Sequence, residues 1–390
     1  MQIRNVTLAF VLFAACTDAP TSVDGTANDN LRVSLAKGSG GGTTKVNSVT
    51  VTPASASIQA GATFQLRATS KPSSSVTFAW STTNQSVATV TQSGLVTGVS
   101  AGTATIRATA GGKTGQSVIT VSGPPPAGGV TFIGAGDISD CNNNNDEATA
   151  KILDANLDGT VFVLGDNAYE SGTTAEFNNC YNPTWGRHKA RTRPSVGNHE
   201  YATTGAAGYY GYFGAAAGDP AKGYYSYDLG DWHVIVINSN ITKIDAAAQL
   251  AWLRSDLAAS TKSCTLAYWH HPRFSSGLEH GNNDAMQPFW DELYESGAEI
   301  VLNGHDHDYE RFAPQTPSGV LDASRGIREF VVGTGGRALY HLGTRKPNSE
   351  VFEFGTFGVL KLTLSAGAYA WQFIPVAGKT FTDTGSGSCH

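Results

Sequence analysis

Charge is scarce in this chain of 390 residues, where only 15% are Asp, Glu, Lys or Arg. No cluster of five or more Lys and Arg occurs and the formal net charge is −6, which argues against a nucleic-acid binder with a basic face. No Cys-x-x-Cys pair occurs among the five cysteines, which argues against thiolate zinc sites. Long apolar runs are missing too. The N-terminal stretch from about Val6 to Ala15 is too short to cross the ~30 Å hydrocarbon core of a bilayer, and no other stretch could span one. What is abundant is glycine, 45 residues, within a chain that is 40% hydrophobic. That mix suits a β-rich, loop-rich exported protein with a sizeable core, and the length allows two or three domains.

Arg4 followed by an apolar stretch fits the hydrophobic region of a signal peptide. Phe13-Ala14-Ala15-Cys16 resembles a bacterial lipobox, with Phe13 where Leu is usual. Residues 1–16 are therefore expected to be a signal peptide whose Cys16 carries lipid; ordinary cleaved secretion and a buried segment are the alternatives. The expectation is export, as a lipoprotein at the cell surface or in the periplasm, or as a secreted protein. A membrane would be touched only through the lipid anchor. With Cys16 set aside, four cysteines remain, an even number that suits an oxidising compartment. Three pairings are open, as are four free thiols. Cys141–Cys180 with Cys264–Cys389 is favoured, because the first two border candidate ligand loops and Cys389 could staple the C-terminus.

The composition changes three times along the chain. Residues 17–44 are polar, rich in Gly, Thr, Ser and Asp, and read as a flexible tether. Residues 45–122 carry short Val/Thr-rich alternating runs separated by turn signals, the pattern of a small all-β sandwich with Trp80 as its core aromatic. Residues 123–129, GPPPAGG, form a Pro/Gly linker. From residue 130 to 390, apolar strands alternate with helical stretches, which indicates an α/β domain. NDEATAKILDAN reads as a helix capped by Asn145 or Asp146, and DAAAQLAWLRSDLAA and NDAMQPFWDELYESG as two more. Hairpins turning at Gly230 and near Ala366-Gly367 make the sheets mixed.

Several apolar or compact segments of this last region end in a ligand type, four of them with a glycine beside it. They are Gly136-Asp137, Gly165-Asp166-Asn167-Ala168-Tyr169, Gly197-Asn198-His199-Glu200, Ala267-Tyr268-Trp269-His270 and Gly304-His305-Asp306-His307. Strands that end in a ligand place it at the carboxyl edge of a sheet, where open α/β folds build their sites. The neighbouring glycines are expected to let each loop turn sharply without a side-chain clash. A lone Gly-Asp is usually a turn; five such motifs together point to two metal ions.

This motif set, in this order, resembles the calcineurin-like metallophosphoesterase superfamily, and within it the purple acid phosphatases. GHDHDYER (304–311) carries the likeness furthest, and Ala267 departs from a usual Val at a packing position. The resemblance implies an α/β metallophosphoesterase β-sandwich of mixed sheets flanked by helices. It implies one metal held by Asp137, Asp166, Tyr169 and His307 and a second by Asp166, Asn198, His270 and His305. The pair would be Fe(III), bound by the Tyr169 phenolate, with a divalent Fe, Zn or Mn. The implied reaction is hydrolysis of a small phosphomonoester by metal-bound hydroxide, with His199 as general acid and Asn198 and His280 contacting substrate. A phosphodiesterase or nucleotidase with two divalent metals is the alternative, and a non-enzymatic adhesin the third. His271, Asp306 and Asp308 are expected to support rather than ligate, and His188, His233, His341 and His390 to be structural or exposed. The Gly-rich VVGTGGRA (331–338) is expected to be a tight turn near the site. Residues 45–122 resemble the bacterial Ig-like group 2 domain, through VNSVTVTPASASIQAGATFQL and WSTTNQSVATVTQSGLVTGVSAGTATI, which implies a spacer or a contact to cell surface or matrix.

Overall fold

The computed structural model describes residues 45–72, 76–123 and 128–390; the expected signal peptide and tether, and residues 124–127 of the linker, lie outside them. Among the described residues no helix is long and apolar enough to cross a membrane.

The N-terminal module is all β. A four-stranded sheet of Ser55–Gln59, Lys113–Ser122, Gly102–Ala110 and Ala79–Thr82 accompanies a three-stranded sheet of Thr63–Gln65, Leu95–Gly98 and Ala88–Val90 and the pair Ser48–Thr52 with Arg67–Lys71. Trp80 packs in its core with Leu66, Ile106 and Ile119. Alternation alone missed Ser55–Gln59 and Leu95–Gly98. The first has a single large apolar residue and exists because it pairs in parallel with Lys113–Ser122; the second contains part of a stretch that reads as a turn.

The rest is a sandwich of two mixed sheets. One has six strands in the order Thr192–Ser195, Thr160–Leu164, Val130–Ala135, Gly358–Ser365, Ala368–Pro375, Thr384–Ser388. The other has seven, in the order Tyr225–Leu229, Trp232–Val236, Cys264–Tyr268, Ile300–Asn303, Arg328–Val332, Tyr309–Phe312, Ser349–Glu353. In the second sheet the two-residue period decides which face each side chain meets. Val234, Val236, Leu266, Tyr268, Ile300 and Leu302 join the core shared with the first sheet. Ile235, Ala267, Trp269 and Val301 face helices Ala246–Ala259 and Gln287–Glu295 through Leu253, Trp290 and Leu293. Both faces are covered, which is why these strands read as unbroken apolar runs. Across the sandwich, the Phe132 and Phe162 rings lie 4.6 Å apart and each lies within 6.3 Å of Tyr268.

The expected helices and hairpins are present. The first helix is Asn145–Asp154, but its N-cap is Asn144, not Asn145 or Asp146. Asp146 is buried instead and accepts from Ser139 Oγ (2.8 Å) and Thr184 Oγ1 (2.7 Å), so its carboxylate is committed to a tertiary contact. Disulfides join Cys141 to Cys180 and Cys264 to Cys389, the favoured pairing, with Cα separations of 5.2 and 5.6 Å.

His233 shows how a histidine without a motif is used. Its Nε2 lies 2.8 Å from Asp256 and its Nδ1 3.1 Å from Asp228, and these partners raise it above its ordinary 6.5, hydrogen bonding to Asp256 first. A raised folded-state pKa contributes stability that is complete below 6.5 and is lost as pH climbs through the raised value. The Tm difference between wild type and His233→Gln should therefore be larger at pH 6 than at pH 9; equal differences would mean the histidine carries no charge in the fold.

Candidate metal centre

The carboxyl ends of two parallel strand sets meet at one edge of the sandwich. Asp137 follows Val130–Ala135, Asp166 follows Thr160–Leu164 and Asn198 follows Thr192–Ser195, three strands in parallel register. His270 follows Cys264–Tyr268 and His305 follows Ile300–Asn303, also parallel. The sheet edges thus deliver five motifs to one place.

The seven expected ligands come together in two groups that share Asp166. In one, the Tyr169 hydroxyl lies 3.0 Å from Asp137 Oδ1, 3.2 Å from Asp166 Oδ2 and 3.2 Å from His307 Nε2. In the other, His270 Nε2 lies 3.2 Å from Asp166 Oδ2, 3.0 Å from Asn198 Oδ1 and 3.1 Å from His305 Nδ1. Asp137, Asp166 and His270, all buried, set one ligand atom each within 4.8 Å of one another.

The donor chemistry fits cations. His270 Nδ1 is 2.8 Å from the Leu164 carbonyl and His307 Nδ1 is 2.7 Å from the Ala338 carbonyl. A carbonyl can only accept, so both Nδ1 atoms carry protons and, in the neutral rings, each Nε2 turns a lone pair toward the carboxylates, the arrangement in which imidazole binds metal. Burial alone would lower His270, yet Asp166 outweighs it and pulls the imidazole up to about 9. Against its own burial, Asp166 is held far below the usual carboxylate range by His270 and then His199. The Tyr169 phenol is pushed well above 10 by burial and by Asp137 and Asp166. A cation among these atoms reverses that ordering, since it favours carboxylate, phenolate and neutral imidazole together.

The glycines avoid a side-chain clash, as expected, more than they shape turns. Of Gly136, Gly165, Gly197 and Gly304, only Gly165 has a positive φ. The left-handed residues are the ligands themselves: Asp137 (φ 60°), Asp166 (φ 49°) and His305 (φ 74°). The glycines leave room for the site. A Cβ on Gly304 would lie 2.5 Å from Asp137 Oδ2, one on Gly165 would lie 2.7 Å from His270 Nδ1, and one on Gly197 would overlap the Asp166 carboxylate.

The remaining expected residues line the mouth. His199 has its ring 4.5 Å from Tyr169 and its backbone N–H 2.9 Å from Asp166 Oδ1. His280 is exposed and stacks on His305 at 3.9 Å. His271 comes closer than a supporting role required, with a nitrogen within 4.8 Å of those of His270 and His305. Its Nδ1 is 2.8 Å from Ser239 Oγ, and burial, then the neighbouring His270, lowers it to about 3. Asp306 turns away and accepts from Gly281 N (3.1 Å) and Ser275 Oγ, anchoring the loop that carries His280. The Asp308 carboxyl group is buried with neither oxygen hydrogen-bonded, while its backbone carbonyl accepts from Gly333 N (3.0 Å).

Three residues went unassigned in the sequence. Glu200 is fully buried and accepts from the N–H groups of Asp166 (3.0 Å), Asn167 (2.7 Å) and Gly197 (2.7 Å), tying two ligand loops together; burial and then Asp166 push it up to about 7. Tyr340 stacks on His307 at 3.8 Å, and Arg337 lies over the Tyr169 ring. Arg337 lies in the Gly-rich stretch 331–338 and Tyr340 just beyond it, and that stretch does pass beside the site: Gly335 N donates to the Gly136 carbonyl (2.9 Å). Only the fourth letter of GNHE hinted at Glu200.

Comparison with known proteins agrees with this geometry. Residues 45–121 match the bacterial Ig-like domain (group 2), and residues 130–309 match the calcineurin-like phosphoesterase family. Purple acid phosphatase 15 of Arabidopsis thaliana is 37% identical over 100 residues, which is 24% of this chain and 19% of the relative, so the chain spans about a fifth of that protein's length. A purple acid phosphatase from yellow lupin (Lupinus luteus) seeds superposes with a TM-score of 0.53 at 17% identity, covering 87% of this chain and 69% of that one. A protein described as the anchor in the inner membrane complex of Plasmodium also gives 0.53, at 13% identity over 67% of this chain and 89% of its own. The chain therefore joins a bacterial Ig-like module to a metallophosphoesterase fold with purple acid phosphatase relatives.

Gly304→Ala should fold yet bind less metal, because its methyl group intrudes on Asp137; Asp166→Asn should lose most, since Asp166 belongs to both groups. Elemental analysis of the purified variants checks both, and a full metal complement in Asp166→Asn would sink the shared-ligand assignment.

Proposed function

We propose that the chain is an exported, metal-dependent phosphomonoesterase of the acid phosphatase type, using Fe(III) with a divalent iron, zinc or manganese ion. The carrying observation is Tyr169, whose hydroxyl meets Asp137, Asp166 and His307 at 3.0–3.2 Å inside a buried pocket. Carboxylate and phenolate oxygens suit a hard trivalent ion, whereas the imidazole-rich half around His270 and His305 suits a divalent one. Bound there, two cations would neutralise phosphate charge and supply a nucleophilic water at ambient pH.

The chain's own residues do the rest. Asn198 and His280 face the mouth, where they can hold the phosphate oxygens. His199 Nδ1 is 2.6 Å from the Glu170 carbonyl, so that nitrogen carries a proton and Nε2 is the atom left to face the site. As water adds to phosphorus and the P–O bond to the leaving group breaks, the electron pair stays on the leaving oxygen. A proton from His199 Nε2 neutralises it, and the proton released by water restores the imidazole. Two disulfides in the catalytic half suit an oxidising compartment and support export. The Ig-like module offers no ionisable cluster; a spacer or a contact to cell surface or matrix is its proposed part.

A diesterase or nucleotidase with two divalent ions is the second reading, since loops 170–196 and 201–223 set substrate choice. A non-catalytic role is the third, motivated by the neighbour described as an anchor.

The metal-loaded protein should hydrolyse an aryl phosphate monoester faster than its diester, best at acid pH; diester preference or an alkaline optimum favours the second reading, and no turnover on either the third. Iron-loaded wild type should show a visible tyrosinate band that Tyr169→Phe lacks. His199→Ala should lower turnover by about 10²–10⁴-fold with metal retained. Metal loss in that variant would overturn the general-acid role.

A further inference from the structure

Arg337 touches four parts of the site although it belongs to none of the ligand motifs. Its backbone N–H donates to the Asp137 carbonyl at 2.9 Å. Its guanidinium forms ion pairs with Asp140 and Glu170. The same group lies over the Tyr169 ring, with Cζ 4.7 Å from the centroid, so cation–π attraction and two carboxylates hold it in one place. Its side chain is 24% exposed, enough burial to strengthen those contacts beyond those of a free surface pair.

Glu170 is the link to chemistry. Its side chain is 54% exposed and, apart from the Arg337 pair and a 4.0 Å approach to His199 Nδ1, no ion pair among the described residues holds it. Its carbonyl accepts from His199 Nδ1 at 2.6 Å. That bond decides which nitrogen of His199 carries the fixed proton. It also aims the ring so that Nε2 lies 3.8 Å from Asp166 Oδ2, on the metal side.

We propose that Arg337 is a positioning residue for proton delivery: by pinning Glu170 beside the Tyr169 ring, it holds the carbonyl that orients His199 and selects its tautomer. This rests on the reading of His199 as the general acid. The planar fork matters as well as the charge, because one guanidinium must reach two carboxylates on different loops; the ammonium of lysine is a point donor.

The test uses the full chain with ¹⁵N-labelled histidines, in wild type, Arg337→Gln, Arg337→Lys and Glu170→Gln, with His199→Ala to assign the signal. Long-range ¹H–¹⁵N spectra should show His199 protonated at Nδ1 in wild type, a mixture of tautomers in Arg337→Gln and Glu170→Gln, and an intermediate in Arg337→Lys. Glu170→Gln breaks the same ion pair at an exposed side chain and decides the matter if Arg337→Gln does not fold. Unchanged His199 signals in folded variants would overturn the proposal. Turnover gives a second readout. An alkyl phosphate needs a proton on its leaving oxygen and 4-nitrophenyl phosphate scarcely does, so Arg337→Gln should lower kcat about tenfold more for the alkyl ester. Equal losses on both substrates would show a merely structural role. If wild type hydrolyses neither ester, the phosphatase reading falls, while the histidine spectra still decide whether Arg337 orients His199.

Discussion

Two buried carboxylates, Asp137 and Asp166, set the terms for everything around them. Neither is more than 1% exposed, and an ionised carboxylate in such a place is strongly unfavourable unless it is paired and hydrogen-bonded. The fold supplies what it can. The His305 N–H meets Asp137 and the His199 N–H meets Asp166, each at 2.9 Å, and the Tyr169 hydroxyl reaches both carboxylates. The seven-stranded sheet brings the imidazoles of His270, His305 and His307 to the same space, opposite Asp137 and Asp166 from the six-stranded sheet. A pair of cations is the partner that satisfies carboxylates, phenol and imidazoles together.

Holding these groups at that spacing requires backbone most residues avoid. Asp137, Asp166 and His305 all sit at positive φ, the kind of local strain that persists where surrounding structure over-determines it. Here the over-determination is visible. Each strained residue ends a strand locked in a buried sheet, Glu200 clamps two of the loops by their N–H groups, and the adjacent glycines leave no side chain in the way. The scaffold stays rigid because its core is continuous, from Phe132 and Phe162 in one sheet to Tyr268 in the other.

Around this rigid base lies a softer rim. His199, Glu170, His280 and the pair Arg337 and Tyr340 come from four loops and meet over the ligands by stacking and ion pairing. The loop with His280 is tied to the Tyr340 loop through Leu278 N to the His341 carbonyl (3.1 Å) and Gly343 N to the Ser276 carbonyl (2.9 Å). On the proposed reading, selectivity and proton handling belong to this rim, and the choice of ions to the ligand shell.

The ligand set was legible in the chain because each ligand follows a strand within a few residues, so its motif is local: Gly-Asp, GNH and GHDH survive as strings. The two-sheet architecture was legible for a similar reason, since strands covered on both faces read as apolar runs and hairpins carry their glycines. The rim was not legible. Arg337 is 138 residues from His199 only in number; it reaches Glu170 and Tyr169 because Arg328–Val332 runs parallel to Ile300–Asn303 and sends its following loop over the site. How the glycines divide between turn and close approach was only half legible, since that depends on what the fold brings against each one. The sequence by itself determined which side chains stand at strand ends and hence the chemistry they can perform. Tertiary structure decided which of them come together, which histidine nitrogen is free and what holds His199 in place, because those are distances between segments that no local pattern encodes.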